Sequence, residues 1–201
     1  MKLPDRIRIE KVETLADDWA ILKKTTLAFQ RADGAWQTLT RETYDRGNGA
    51  TLLLINRERG TVLLTRQFRY PAFVNGATDL LIEACAGLLD ARDAEAAIKQ
   101  EVEEELGVRV SATSKVFESY MSPGSVTEKL HFFVAEYTAD DRVSSGGGIA
   151  HEGEDIEVLE LPFTEALAMI DRGEIVDGKT IMLLLYAQWK QLSSPRPAGA
   201  R

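Results

Sequence analysis

Apolar and polar side chains alternate along residues 6 to 12 (RIRIEKV), the period-two pattern of a strand with one wetted face. Residues 19 to 29 (WAILKKTTLAF) and 36 to 45 (WQTLTRETYD) continue in strand-like composition, and Asp33-Gly34 between them is a hairpin signal. Together they predict a two- or three-stranded antiparallel sheet. A sheet that small is marginal alone, which predicts packing against something larger, such as a partner subunit. The pattern then changes. Residues 50 to 56 (ATLLLIN) and 61 to 68 (TVLLTRQF) are nearly continuous apolar runs around the charged turn 57 to 60, as in central strands covered on both faces.

Residues 70 to 79 read as a loop and 80 to 86 as a short strand. A helix follows over about 93 to 106. Further strands are predicted at 115 to 120, 130 to 137 and 156 to 161. Helices are predicted at 164 to 172, closed by Gly173, and at 179 to 192. The stretch 121 to 129 (MSPGSVTEK) is a Pro- and Gly-containing loop, of the kind that carries chemistry on a rigid scaffold. Residues 144 to 148 (SSGGG) read as flexible and lead into the acidic stretch 152 to 155. Such a mobile loop could deliver a metal ligand once substrate is bound. The division expected is an N-terminal sheet over 1 to 46, a main domain over 47 to 192 and a flexible tail over 193 to 201.

The chain of 201 residues, 44% of them hydrophobic, can bury a sizeable core. Its net charge of −8 argues against nucleic acid as a partner. An anionic substrate would need a few placed arginines and a metal. Of the two arginines in RQFR, Arg69 is the candidate phosphate clamp, because a guanidinium matches phosphate oxygens bidentately. The single cysteine, Cys85, rules out an internal disulfide and reads as a buried strand thiol. The first ten residues lack an apolar signal core and no run reaches transmembrane length, so a cytoplasmic protein without a membrane partner is expected.

The chemistry concentrates in residues 87 to 108 (GLLDARDAEAAIKQEVEEELGV). At roughly 100° per residue, Glu101, Glu104 and Glu105 share one face of the helix. Ile98, Val102 and Leu106 form an adjacent core face, and Glu103 points to solvent. Carboxylates gathered this way repel one another, and a hard divalent cation such as Mg²⁺, which prefers oxygen ligands, relieves that repulsion. An arbitrary run of glutamates is more simply a solvated helix face. Here the turn at Gly87 and the stop at Gly107 favour a built site. Glu128, a lone loop carboxylate, carries no signal of its own. Trp19 fits a sheet core or a platform for stacking a nucleobase.

This stretch resembles the Nudix box, Gly-x5-Glu-x7-Arg-Glu-U-x-Glu-Glu-x-Gly-U, with U aliphatic. Gly87, Glu101, Val102, Glu104, Glu105, Gly107 and Val108 match. Three features depart: Asp93 stands at the first Glu, the next gap is one residue short, and Gln100 replaces Arg. Residues 44 to 50, 66 to 69, 81 to 90, 120 to 124, 146 to 148, 154 to 163 and 177 to 180 look like the GDP-mannose pyrophosphatase branch, which is related to ADP-ribose pyrophosphatases. The similarity spans residues 6 to 192.

The resemblance implies an α/β fold, a Nudix α/β/α sandwich around a mixed sheet, with an added N-terminal antiparallel sheet exchanged across a homodimer. It implies cleavage of GDP-mannose to GMP and mannose 1-phosphate, dependent on Mg²⁺ with Mn²⁺ as the alternative ion. By position, Glu101, Glu105, Glu154 and the main-chain carbonyl of Ala86 would be metal ligands, with Glu104 supporting the chemistry. Glu128 would be the general base, with Glu152 and Glu154 as alternatives. Arg69 and Lys179 would contact substrate phosphate or sugar, and Trp19, Thr40, Arg41 and Glu42 would help form the nucleotide pocket. The competing expectations are ADP-ribose or another nucleotide sugar as substrate, a non-catalytic nucleotide-sugar sensor, and a plain acidic dimerisation domain.

Overall fold

The alternating N-terminal segments form a three-stranded antiparallel sheet in the computed structural model, which describes residues 2 to 194. Its strands are β1 (Ile7–Asp17), β2 (Ile21–Gln30) and β3 (Trp36–Asp45), paired in that order. The register of β1 against β2 shifts between Ile9 and Lys11 and again between Thr14 and Ala16. Each bulge inserts an unpaired residue and bends the strand. Trp19 falls in the bend between β1 and β2, not within a strand as its neighbours suggested. At the β2–β3 turn Gly34 takes φ 87, and Asp33 Oδ1 accepts the Ala35 N–H at 3.0 Å.

This sheet, up to Asn48, makes one compact unit with Tyr120–Lys129. The loop is laced to β3: the Tyr44 N–H donates to Ser125 O at 2.8 Å, and the Thr127 N–H donates to Tyr44 O at 3.1 Å.

The second unit comprises Gly49–Ser119 and the chain from Leu130 onward. Its elements are β4 (Gly49–Asn56), β5 (Thr61–Gln67), α1 (Tyr70–Val74), β6 (Leu81–Glu83), β7 (Cys85–Leu88), α2 (Ala94–Leu106), β8 (Ser114–Tyr120), β9 (Lys129–Glu136), β10 (Glu157–Pro162), α3 (Phe163–Asp171) and α4 (Gly178–Trp189). The sheet runs β10-β5-β4-β9-β8, with β6 beside β5 and β7 beside β4. β4 and β9 are parallel while β4–β5, β5–β10, β5–β6 and β4–β7 are antiparallel, so the sheet is mixed.

Every residue of β4 is buried, as its unbroken apolar run requires. Alternate residues serve opposite faces. Leu52 and Leu54 pack with Ile98, Val102 and Leu106 of α2, together with Phe133 of β9. On the other side Phe132 meets Phe117 at 4.5 Å, and Phe117 meets Tyr186 of α4 at 5.9 Å. Helices therefore cover both faces, as expected. Among the described residues no helix is long and apolar enough to cross a membrane.

Two local expectations are corrected. Residues 70 to 79 open with a single helical turn, α1, with Pro71 in its first turn, where a missing N–H costs nothing. Residues 80 to 86 are two strands. The Ala84 N–H donates to Thr180 Oγ1 of α4 at 2.7 Å, and at that residue the chain changes partner from β5 to β4. The tail expected from residue 193 lies, from 195 onward, outside the described residues.

Candidate metal and phosphate site

Helix α2 is bounded as its sequence demands. Asp93 caps its start, accepting from the Glu95 and Ala96 N–H groups at 3.0 and 3.1 Å. Gly107 ends it in the left-handed conformation, φ 69. The core stripe of Ile98, Val102 and Leu106 turns inward as expected. Glu103 turns outward and pairs with Arg109.

The acidic face is less uniform than its spacing implies. Glu105 is only 3% exposed, and among the described residues its Oε2 has no hydrogen-bond partner. Burial is the main reason its pKa is pushed up to about 7. The Cys85 thiol hydrogen-bonds it and opposes the rise, Glu101 and Glu154 add to it, and Arg69 opposes it. Glu101 is also raised, by burial first and then by Glu104, while Arg92 opposes and Glu154 adds. The four carboxylates thus share one electrostatic neighbourhood. Cys85 is the buried thiol the sequence suggested, raised well above the usual range by desolvation and by Glu105.

Gly87 explains how Glu101 reaches this place. A Cβ on Gly87 would stand 2.3 Å from Glu101 Cδ, so only glycine lets the carboxyl lie against the β7 backbone beside Ala86. Glu154 arrives by a different route. The Gly147 N–H donates to Glu105 O at 2.9 Å and the Gly148 N–H to Glu104 O at 3.2 Å. These bonds satisfy carbonyls that the end of a helix leaves open. Gly148, at φ 76, lies under the Glu154 carboxyl, where a Cβ would meet Oε2 at 2.5 Å. The glycines at 146 to 148 therefore fix the loop to α2, correcting the flexible segment expected there.

Among the described residues no three acidic or histidine side chains converge into a ready cage. Glu104 Oε1 accepts from Gln100 Nε2 at 2.9 Å, Glu154 Oε2 accepts from the Ile149 N–H at 2.8 Å, and Glu101 Oε1 lies 3.5 Å from Arg92. The donor set is nonetheless all oxygen, mutually repelling, and includes one buried oxygen without a hydrogen-bond partner among the described residues. Those features fit a hard divalent cation.

A cationic pair stands on a carboxylate that the sequence reading missed. Buried Glu83 of β6 accepts from Arg69 Nε at 2.7 Å and from Lys179 Nζ at 2.5 Å. Lys179 also lies 3.0 Å from Asp177 Oδ1, and Asp177 caps α4 through the Thr180 N–H and hydroxyl. Among the described residues no partner holds the terminal nitrogens of Arg69. The signal for Glu83 was present: a charge inside the apolar run LIEACAG must have a partner. Arg66, the other arginine of RQFR, pairs with Glu157 of β10.

The remaining expected residues belong to the first unit. Buried Glu128 holds Arg46 Nη2 on its Oε1 at 2.6 Å. Trp19 is 68% exposed and tilts against Tyr44 at 6.5 Å. Thr40, Arg41 and Glu42 lie on β3, with Arg41 Nη1 donating to Thr40 O. Arg41, Glu42, Tyr120 and residues 123 to 127 line an open pocket of about 640 Å³.

Comparison with known proteins gives concordant matches. Residues 6–44 match the family model described as the GDP-mannose pyrophosphatase NudK N-terminal domain, and residues 45–184 match the NUDIX domain model. A GDP-mannose pyrophosphatase of Pectobacterium atrosepticum is 55% identical over 182 residues, 90% of this chain and 93% of that protein. One from Klebsiella pneumoniae is 51% identical over 94% of each chain. A solved ADP compounds hydrolase superposes with a TM-score of 0.69 over 92% of this chain and 95% of its own, at 18% identity, a likeness of fold.

Proposed function

The chain belongs to the Nudix hydrolases, and from that membership we propose that it cleaves the pyrophosphate bond of GDP-mannose to give GMP and mannose 1-phosphate. The observation that carries the substrate is the similarity to proteins named for it, at 51–55% identity over nine-tenths or more of this chain. The orphaned oxygen of buried Glu105, among three other carboxylates, supports dependence on a divalent cation, with Mg²⁺ or Mn²⁺ the ions that suit oxygen ligands.

Glu101, Glu105, Glu154 and the Ala86 carbonyl would hold the cation, with Glu104 beside them. When bound, the ion supplies charge neutralisation on the pyrophosphate and a more acidic water. The protein's own groups do the rest. The terminal nitrogens of Arg69 and the ammonium of Lys179 bind phosphate oxygens and stabilise the departing phosphate. Glu83 holds both cations so that their positions are set before substrate arrives. Glu128 is the base in this reading: Arg46 occupies its Oε1, which leaves Oε2 to take the proton of the attacking water. Trp19 supplies a stacking face for the nucleobase, and Thr40, Arg41 and Glu42 supply polar contacts on β3. We read residues 1 to 46 as the dimerising sheet of a cytoplasmic homodimer and 47 to 192 as the hydrolase domain.

Product analysis tests this directly. GDP-mannose and ADP-ribose are incubated in parallel with Mg²⁺ in oxygen-18 water. GMP and mannose 1-phosphate are expected, with the label on one of them marking the phosphorus attacked. Preferential cleavage of ADP-ribose would move the substrate, and no turnover of either would leave the sensor reading.

A further inference from the structure

We propose that Arg92 and Gln100 act as a coupled pair that positions Glu101 and Glu104, with the charge of the Nudix box arginine moved from the helix to the turn before it. The inference rests on the pyrophosphatase reading above. The box places an arginine immediately before its first helical glutamate, and this chain has Gln100 there. The cation next to that glutamate comes instead from Arg92, which lies 3.5 Å from Glu101 Oε1.

The guanidinium is held on all sides. Nε donates to Leu89 O at 3.2 Å, Nη2 to Leu88 O at 3.1 Å, and Nη1 to Gln100 Oε1 at 2.9 Å. Asp90 Oδ2 lies 3.6 Å from Nη2. The turn so gripped contains two left-handed non-glycine residues, Asp90 at φ 44 and Ala91 at φ 66. It joins Gly87, against which Glu101 lies, to the cap of α2. Gln100 passes the contact onward, donating from Nε2 to Glu104 Oε1 at 2.9 Å. An amide accepts and donates at once, whereas Arg or Lys at position 100 would only donate and would face Arg92 with like charge. Each residue thus makes sense only with the other.

The test is a double-mutant cycle of R92M, Q100M and their combination, read as kcat and KM for GDP-mannose and as Mn²⁺ binding by electron paramagnetic resonance. Each single variant is expected to lower kcat by roughly 10-fold or more, and to weaken Mn²⁺ to a similar degree, as for lost partners of metal ligands. Because either removal already breaks the contact the two residues share, the combination is expected to lose little more than R92M alone. Q100M, on the helix exterior, removes both amide contacts without a charge change and is expected to show the same loss of kcat with a smaller change in KM. Additive losses in the combination would overturn the proposal, as would Q100M with unchanged kcat and Mn²⁺ affinity. A wild-type chain that binds Mn²⁺ but leaves GDP-mannose intact would count against the substrate, while the Mn²⁺ cycle still decides the pair.

Discussion

Glu105 holds a carboxyl group one of whose oxygens is buried and, among the described residues, meets no donor. A carboxyl whose pKa rises from 4.5 to about 7 on folding binds more protons folded than unfolded between those values. Its contribution to stability is therefore fully present below pH 4.5 and is lost as the pH rises through 7, by about 3 kcal/mol. In the presence of a chelator the thermal midpoint should fall across that window, and E105Q should flatten the fall and exceed the wild type at pH 8. Mg²⁺ at pH 8 should raise the wild-type midpoint and leave that of E105Q nearly unmoved. A wild-type midpoint that is flat from pH 5 to 8 would remove the buried charge from the account. Glu83 is the converse case, a buried carboxylate with two cations on it. E83Q should cost about 2–3 kcal/mol by denaturant unfolding, since Arg69 is partly exposed and loses less than a fully buried partner. The same variant should raise KM, because the two cations proposed to bind phosphate lose their anchor. Glu101 and Glu105 were legible from spacing because a helix converts sequence intervals into a face. Glu83 was not singled out, since its role depends on Arg69 and Lys179, the latter far along the chain.

Helix α2 was legible to within a residue at each end because its caps are local: Asp93 two and three residues before the amides it accepts, Gly107 at the stop. The segments around it were misjudged where non-local bonds decide. The break in the strand at Ala84 depends on Thr180 of α4. The glycines at 146 to 148 look like a flexible linker until the open carbonyls of Glu104 and Glu105 are set beside them. Gly146 is the tightest of these contacts: it takes φ 68, and a Cβ there would stand 2.3 Å from Glu105 O. Backbone cannot yield as a side-chain tip can, so G146A should cost about 2–4 kcal/mol in denaturant unfolding. It should also weaken Mg²⁺, because the loop that carries Glu154 is pushed from the helix. The turn before α2 predicts the opposite sign. Ala91 sits at φ 66 where glycine would be unstrained. A91G should therefore stabilise by about 0.5–1 kcal/mol, the left-handed strain relieved less the added freedom of the unfolded chain. An A91G chain less stable than wild type would show that the turn is shaped by something other than backbone preference.

At the scale of the molecule, the N-terminal sheet is the part least able to stand alone. Three strands with few covered side chains bury too little to be stable by themselves. Ile9 and Val12 are more than half exposed. The bulge between them matters, because it interrupts the alternation and still leaves both on one side: Ile9 stands opposite Leu27, and Val12 opposite Thr25. Strict alternation would have separated residues three apart, so this apolar side was not legible from the pattern of β1. Trp19 at 68% exposure adds to the apolar surface of the same unit. A second copy of the chain is the occupant the proposed homodimer supplies, and sedimentation at micromolar concentration should give twice the 22.3 kDa of one chain. Exposed positions contribute little to the fold of the single chain, about 0.5 kcal/mol or less each. I9K combined with V12K should therefore halve the sedimenting mass and leave thermal unfolding of the main domain unchanged, with any lost far-ultraviolet circular dichroism confined to the strand signal of the N-terminal sheet. If the partner's sheet completes the nucleotide pocket, the same variant should also lose kcat in proportion to the dimer lost, and raising protein concentration should restore it. A wild-type chain that sediments at 22.3 kDa with full activity would confine the pocket to residues of one chain.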